Sequence, residues 1–154
     1  MNRTIPRVCS IRHVKSRWQS VEQINWSVMR ILYVEEDPDS CQLLVLLLSN
    51  SGHEVVPANT ISEGLRLAKS GTFGAYVLGD WFSDGTGPEL CRQLRLFDPN
   101  TPIIFYSALT RDRDLEAAMS AGAQAYLIKP DGLEKIEPTI KRLIGHRYAN
   151  RCSP

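Results

Sequence analysis

The stretch ILYVEEDPD, residues 31–39, holds a strand, an acidic junction and a helix start in succession. Ile31, Leu32, Tyr33 and Val34 form a short apolar run of good β-formers, which reads as a strand buried on both faces. Glu35 and Glu36 put two acids where that strand ends. Asp37 followed by Pro38 supplies an N-cap and a first-turn proline, so a helix opens directly behind the acids.

The same alternation continues downstream. Cys41, Leu44, Leu47 and Leu48 make the apolar stripe of the first helix, which Asn50-Ser51-Gly52 stops. Glu54–Pro57 reads as a second strand, and Thr60 to Glu63 as a capping box for a helix with Ile61, Leu65 and Ala68 on one face. Ala75–Leu78 is a third buried strand, followed by the turn residues Asp84-Gly85-Thr86-Gly87. Thr86 to Glu89 caps the next helix, with Leu90, Leu94 and Phe97 expected inward. Pro102–Tyr106 gives a fourth strand, and Leu115, Ala118 and Met119 mark a shorter helix ending at Gly122. Ala125–Ile128 is the fifth strand, and Leu133, Ile136, Ile140 and Leu143 carry the last helix.

Strands this continuously apolar belong in a parallel sheet covered by helices on both faces. Right-handed crossovers then leave a doubly wound α/β fold as the natural topology. The expectation is a five-stranded parallel sheet of order 2-1-3-4-5 in a flavodoxin-like three-layer sandwich.

With 154 residues, 43% of them hydrophobic and 23% charged, the chain has the size and composition of one globular domain. The longest apolar run, Leu43 to Leu48, is far too short to span a bilayer, and no secretory signal is visible, so a cytoplasmic protein is expected. A net charge of +1 gives no overall attraction to nucleic acid or anionic membrane. Cys9, Cys41, Cys91 and Cys152 lack metal-site spacing and read as free thiols, with Cys41 and Cys91 buried.

Charge is nonetheless uneven. Residues 1–28 hold five basic side chains against Glu22 alone, a net of +4 that leaves −3 for the rest. Three domain-level segments result: a basic extension over 1–28, the α/β domain over 29–145 and a tail over 146–154. The extension reads either as a basic arm with a helical stripe (Ile11, Val14, Trp18, Val21 and Val28) or as sequence upstream of a true start at Met29. The arm reading would make the chain a nucleic-acid-associated regulator, which the weak charge signal does not favour.

In a doubly wound sheet the crevice at the carboxyl ends of the strands is the default site. Glu35-Glu36, Gly79-Asp80, Ser107 and Lys129 all lie at such ends. Acids, a hydroxyl and a lysine meeting there suit Mg²⁺ and a phosphoryl group, with carboxylates on the cation and the lysine and hydroxyl on phosphate oxygens. The Asp84–Gly87 turn lacks both the P-loop lysine and the dinucleotide-binding glycine pattern, so nucleotide or flavin binding has no support beyond the architecture.

ILYVEEDPD (31–39), PIIFYSA (102–108) and AGAQAYLIKP (121–130) together closely resemble the receiver domain of bacterial two-component response regulators. The resemblance covers about residues 30–144. It implies that Glu35 and Glu36 match the acidic Mg²⁺-binding pair, Ser107 the switch hydroxyl, Lys129 the phosphate-contacting lysine and Tyr126 the switch aromatic. It also implies a protein partner, a histidine kinase or a downstream signalling protein. A role as an enzyme is not implied, beyond self-phosphorylation from a phosphohistidine donor. With few residues after the last helix, a stand-alone module is expected.

The sequence departs from the family pattern at the acceptor. Aligned without gaps, Phe73 takes the aromatic position before strand three, and Asp84-Gly85-Thr86-Gly87 and Glu89-Leu90 fall on the loop and helix that follow. That register puts Gly79, not Asp80, at the phosphoacceptor position and Ser83 at a position usually held by proline. Glu36 also replaces an aspartate, moving a carboxylate in a site that demands octahedral Mg²⁺ geometry. Weak or absent Mg²⁺ binding is expected, with Lys129 pairing Glu35 or Glu36. Two functions remain open: a receiver acting by protein contact without ordinary phosphorylation, and a conventional one that uses Asp80.

Overall fold

The computed structural model describes residues 28–151, so the basic extension up to Ser27, Cys9 and Cys152 lie outside the described residues, and Val28, the last residue of the expected stripe, is exposed and in no helix. Strand β1 (Arg30–Val34) leads into α1 (Pro38–Asn50), then β2 (Glu54–Ala58), α2 (Ile61–Ser70) and β3 (Ala75–Leu78). A two-residue hairpin follows, β4 (Trp81–Phe82) against β5 (Gly85–Thr86), and runs into α3 (Gly87–Phe97). The chain ends with β6 (Ile103–Ser107), α4 (Asp112–Ala121), β7 (Ala125–Ile128), a 3₁₀ turn (Leu133–Lys135) and α5 (Ile136–Arg151).

The main sheet is five-stranded and parallel, in the order β2-β1-β3-β6-β7. Apart from the small hairpin, this is the expected 2-1-3-4-5 order. Alternation along β1 divides the core. Leu32 and Val34 pack toward α2, α3 and α4, with Leu78, Leu90, Leu94 and Phe105. Ile31 and Tyr33 pack toward α1 and α5, with Leu44, Leu48, Ile136 and Ile140. The central strands β1, β3 and β6 are buried along almost their whole length, while the edge strands β2 and β7 are only partly covered.

Helix starts follow the local sequence. Asp37 caps α1 through the Ser40 amide, and Pro38 occupies the first turn. Thr86 and Glu89 form a complete capping box on α3. The α2 start differs from the expected box: Thr60 accepts from the Glu63 amide, but Glu63 reaches back to Asn59 rather than to Thr60. The donors left over at this end are taken from a distance, since Asp84 accepts from the Ile61 and Ser62 amides and from the Ser62 hydroxyl, each at 2.9 Å. Helix α4 closes on Gly122 in the left-handed region, at φ 112°, which a side chain would strain.

The buried stripes are shorter than expected: on α4 only Ala118 of the expected three is buried, with Leu115 and Met119 exposed. Phe97 is 39% exposed at the end of α3, because the chain leaves the helix there for Asp98 and the inward stripe stops at Leu94. Helix α5 continues through His146 to Arg151, so the first part of the expected tail is helical. Cys41 and Cys91 are buried free thiols, as expected.

Candidate functional site

At the carboxyl end of β1 the backbone turns Glu35 into the protein and leaves Glu36 exposed. The Glu35 carboxylate is fully engaged. Its Oε2 meets Lys129 Nζ at 2.6 Å and the Tyr33 hydroxyl at 3.2 Å, while Oε1 accepts from the Asp37 amide at 3.0 Å. Lys129 also stands over the Tyr106 ring, 5.2 Å from its centroid. Burial and the neighbouring Glu35 charge push the Tyr33 phenol far above its ordinary value, so it remains a donor. Glu36 turns away and accepts from the Ser83 amide at 3.1 Å.

The other predicted residues form a second group. Ser107, fully buried at the end of β6, donates to Asp80 Oδ2 in a short hydrogen bond. Its oxygen accepts from the Tyr126 hydroxyl at 2.6 Å and from the Leu109 amide at 2.9 Å. The Tyr126 oxygen lies 3.1 Å from the Leu109 carbonyl and 3.5 Å from Asp80 Oδ1, and its ring stacks on Phe105. Burial raises the Asp80 carboxyl above its usual range, against the opposing hydrogen bond from Ser107 and the charge of Lys129. A cavity of about 290 Å³ opens beside Asp80, with Trp81, Pro88, Arg92 and Leu109 among its walls.

Strand parity explains the division. Successive side chains point to opposite sides, so Gly79 follows Val77 toward the α1–α5 side and Asp80 follows Leu78 toward the α2–α4 side. Gly79 therefore faces Glu35: a Cβ built on it would lie 3.0 Å from Glu35 Oε2. The strand-end residues expected in one crevice thus fall into two adjoining clusters, Glu35–Lys129 beside Gly79 and Asp80–Ser107–Tyr126. Asp84 lies in the turn between β4 and β5, as expected, and also caps α2; nothing local in the sequence reveals so distant a contact.

The sheet order and these strand ends match a known family. Residues 31–141 match the model of the response regulator receiver domain. The chain belongs to this family. NisR, the nisin biosynthesis regulatory protein of Lactococcus lactis subsp. lactis, is 30% identical over 126 residues, covering 79% of this chain and 55% of its own length. The response regulator ArlR of Staphylococcus epidermidis is 30% identical over 114 residues, covering 74% of this chain and 52% of its own. The receiver thus spans about half the length of these curated relatives.

Among solved structures, a two-component response regulator from Clostridium difficile superposes with TM-score 0.71 at 29% identity, over 75% of this receiver and 94% of that chain. A CheY-like receiver domain protein from Methanospirillum hungatei gives 0.70 at 27% identity, over 78% and 99%. Receivers work in two-component signalling, and no helix among the described residues is long and apolar enough to cross a membrane.

Proposed function

We propose that this receiver signals by protein–protein contact, with aspartyl phosphorylation impaired or absent. One observation carries the reading: the strand-end position that faces Glu35, the carboxylate paired with Lys129, is Gly79, which has no side chain to accept a phosphoryl group. Asp80, one residue on, points to the other side and is held by Ser107. Lys129 closes on Glu35 and has a structural partner in place of a phosphate oxygen.

The donor set fits Mg²⁺ poorly. Both Glu35 oxygens are engaged, Glu36 is turned to the Ser83 amide, and among the described residues no three His, Cys, Asp or Glu side chains gather as a metal-holding group. A receiver from Thermotoga maritima has been solved in complex with Mg²⁺-BeF, and at 24% identity it shares the fold with this chain. Weak Mg²⁺ affinity is therefore part of the proposal. Its partners are a histidine kinase or a downstream signalling protein, met in the cytoplasm.

A conventional receiver using Asp80 is the competing reading, favoured by the half-buried Asp80 carboxylate beside a buried hydroxyl and within reach of the Lys129 charge. Intact-protein mass after incubation with Mg²⁺ and acetyl phosphate separates the two. No phosphoryl adduct is expected. An adduct that disappears in Asp80→Ala would establish the competing reading.

A further inference from the structure

The Ser107 hydroxyl is used to its full capacity: one proton given, two donors accepted. Both accepted donors lie on the segment after β6 or on β7, since Leu109 supplies its amide and Tyr126 its hydroxyl. The proton goes to the chain end of β3, at Asp80. Ser107 is 0% exposed, so with Asp80 in place its proton has no solvent partner and goes to the carboxylate. Tyr126 belongs to β7, an edge strand only partly covered, where this network and the stacked Phe105 ring hold its hydroxyl inside. The polarity of the chain runs Tyr126 to Ser107 to Asp80, and a carboxylate is its natural last acceptor.

The geometry points to Asp80 as a built-in ligand of the switch: its carboxylate orients Ser107, holds Tyr126 inward and ties the Ala108–Arg111 segment down with no phosphoryl group. This inference rests on the contact-only reading above and adds the regulation of that site. The elements so tied, α4 and β7, expose the apolar side chains Leu115, Met119 and Ile128, at 41%, 43% and 44%. Arg111, Arg113 and Glu116 are exposed on the same segment. A partner reading that surface would therefore meet it in one fixed state.

The test uses the full chain with no phosphoryl donor present. Amide hydrogen exchange is followed at Leu109, whose N–H ends on Ser107, together with the ¹⁹F spectrum of 3-fluorotyrosine at Tyr126. Asp80→Ala should speed Leu109 exchange by about tenfold or more and shift or split the Tyr126 line. Asp80→Asn, which keeps one acceptor oxygen, should stay close to wild type. Ser107→Ala removes the acceptor of both donors directly and marks the fully loosened limit, while Asp80→Leu provides a second route should Asp80→Ala fail to fold. Unchanged Leu109 exchange and an unmoved Tyr126 line in Asp80→Ala, or in Asp80→Leu where Asp80→Ala fails to fold, would overturn the inference. The phosphoryl adduct assay tests the contact-only reading separately, because a covalent adduct on Asp80 overturns that reading whatever the exchange rates show.

Discussion

Glu35 reaches across Gly79, with its Oε2 lying 3.0 Å from the place a side-chain carbon on residue 79 would occupy. The same oxygen is 2.6 Å from Lys129 Nζ. The longer acid and the missing side chain are thus complementary: one carboxylate fills space at a strand end where a second would crowd it. Gly79→Asp should therefore destabilise the fold by about 1–2 kcal/mol, through like charge and crowding beside Glu35. Glu35→Asp in the same chain should recover part of that loss. Urea unfolding of the four variants of this cycle measures the coupling, and Gly79→Asp at wild-type stability would show that the two positions are independent.

Lys129 is the only cation paired with Glu35 among the described residues. Lys129→Met should cost roughly 3 kcal/mol by leaving a buried carboxylate without its counter-charge. Lys129→Met with Glu35→Gln should be much less damaging than the single change. Equal losses in single and double variants, again by urea unfolding, would mean that the ion pair is not the source.

Arg95 joins three parts of the chain. Its Nε donates to the Gly122 carbonyl at 2.9 Å, Nη1 to the Asp98 and Thr101 carbonyls at 3.0 and 2.7 Å, and Nη2 to Gln124 Oε1 at 2.8 Å. Three of these acceptors are backbone carbonyls, and the Gly122 carbonyl also accepts from Gln124 Nε2 at 3.2 Å. Arg95→Met keeps the stem and removes the donors, and is expected to cost about 2–3 kcal/mol. Differential scanning calorimetry should show a lowered Tm; a Tm equal to wild type would mean water replaces the guanidinium.

Asp84 is held below the usual carboxylate range chiefly by the backbone N–H of Ser62, with Ile61 adding to it. A folded value below the unfolded one contributes stability above the ordinary aspartate pKa and loses it as pH falls through the folded value. The stability gap between wild type and Asp84→Ala should therefore be present in full above the ordinary aspartate value of about 3.9 and shrink as the pH falls below it. Unfolding midpoints across that range measure it. A gap of constant size would show that charge plays no part in the cap.

Burial pushes the Cys91 thiol up to about 11, and its sulfur donates to the Ala121 carbonyl at 3.4 Å. Cys41 is raised by burial as well. Neither should react with a maleimide at neutral pH in the folded chain, and both should react fully in denaturant. Peptide mapping of labelled protein reads each site separately; rapid native labelling at Cys91 would imply that α3 and α4 separate readily.

Much of this protein was legible residue by residue. The apolar run Ile31–Val34, the Asp37-Pro38 and Thr86–Glu89 caps and the stop at Gly122 are local signals, and local hydrogen bonding and burial period suffice to make them strands and helices. The strand order follows as well, because buried parallel strands joined by helices have few right-handed solutions. The pairing of Lys129 with an acid just after β1 also came from sequence, while Gly79 as the acceptor position stays part of the proposal above.

Tertiary structure alone decided the rest. Which of Glu35 and Glu36 is buried depends on how β1 ends against β3. That Asp84 caps α2, that Arg95 ties Gly122 to Thr101, and that Phe97 is left in solvent all depend on contacts between segments more than one element apart, or on where a helix happens to leave its neighbours. Above all, the sequence lists Gly79, Asp80, Ser107, Tyr126 and Lys129 at neighbouring strand ends, but only the assembled sheet sorts them. A side chain's position along a strand is written in the chain, whereas the company it keeps depends on the pleat of the strands beside it.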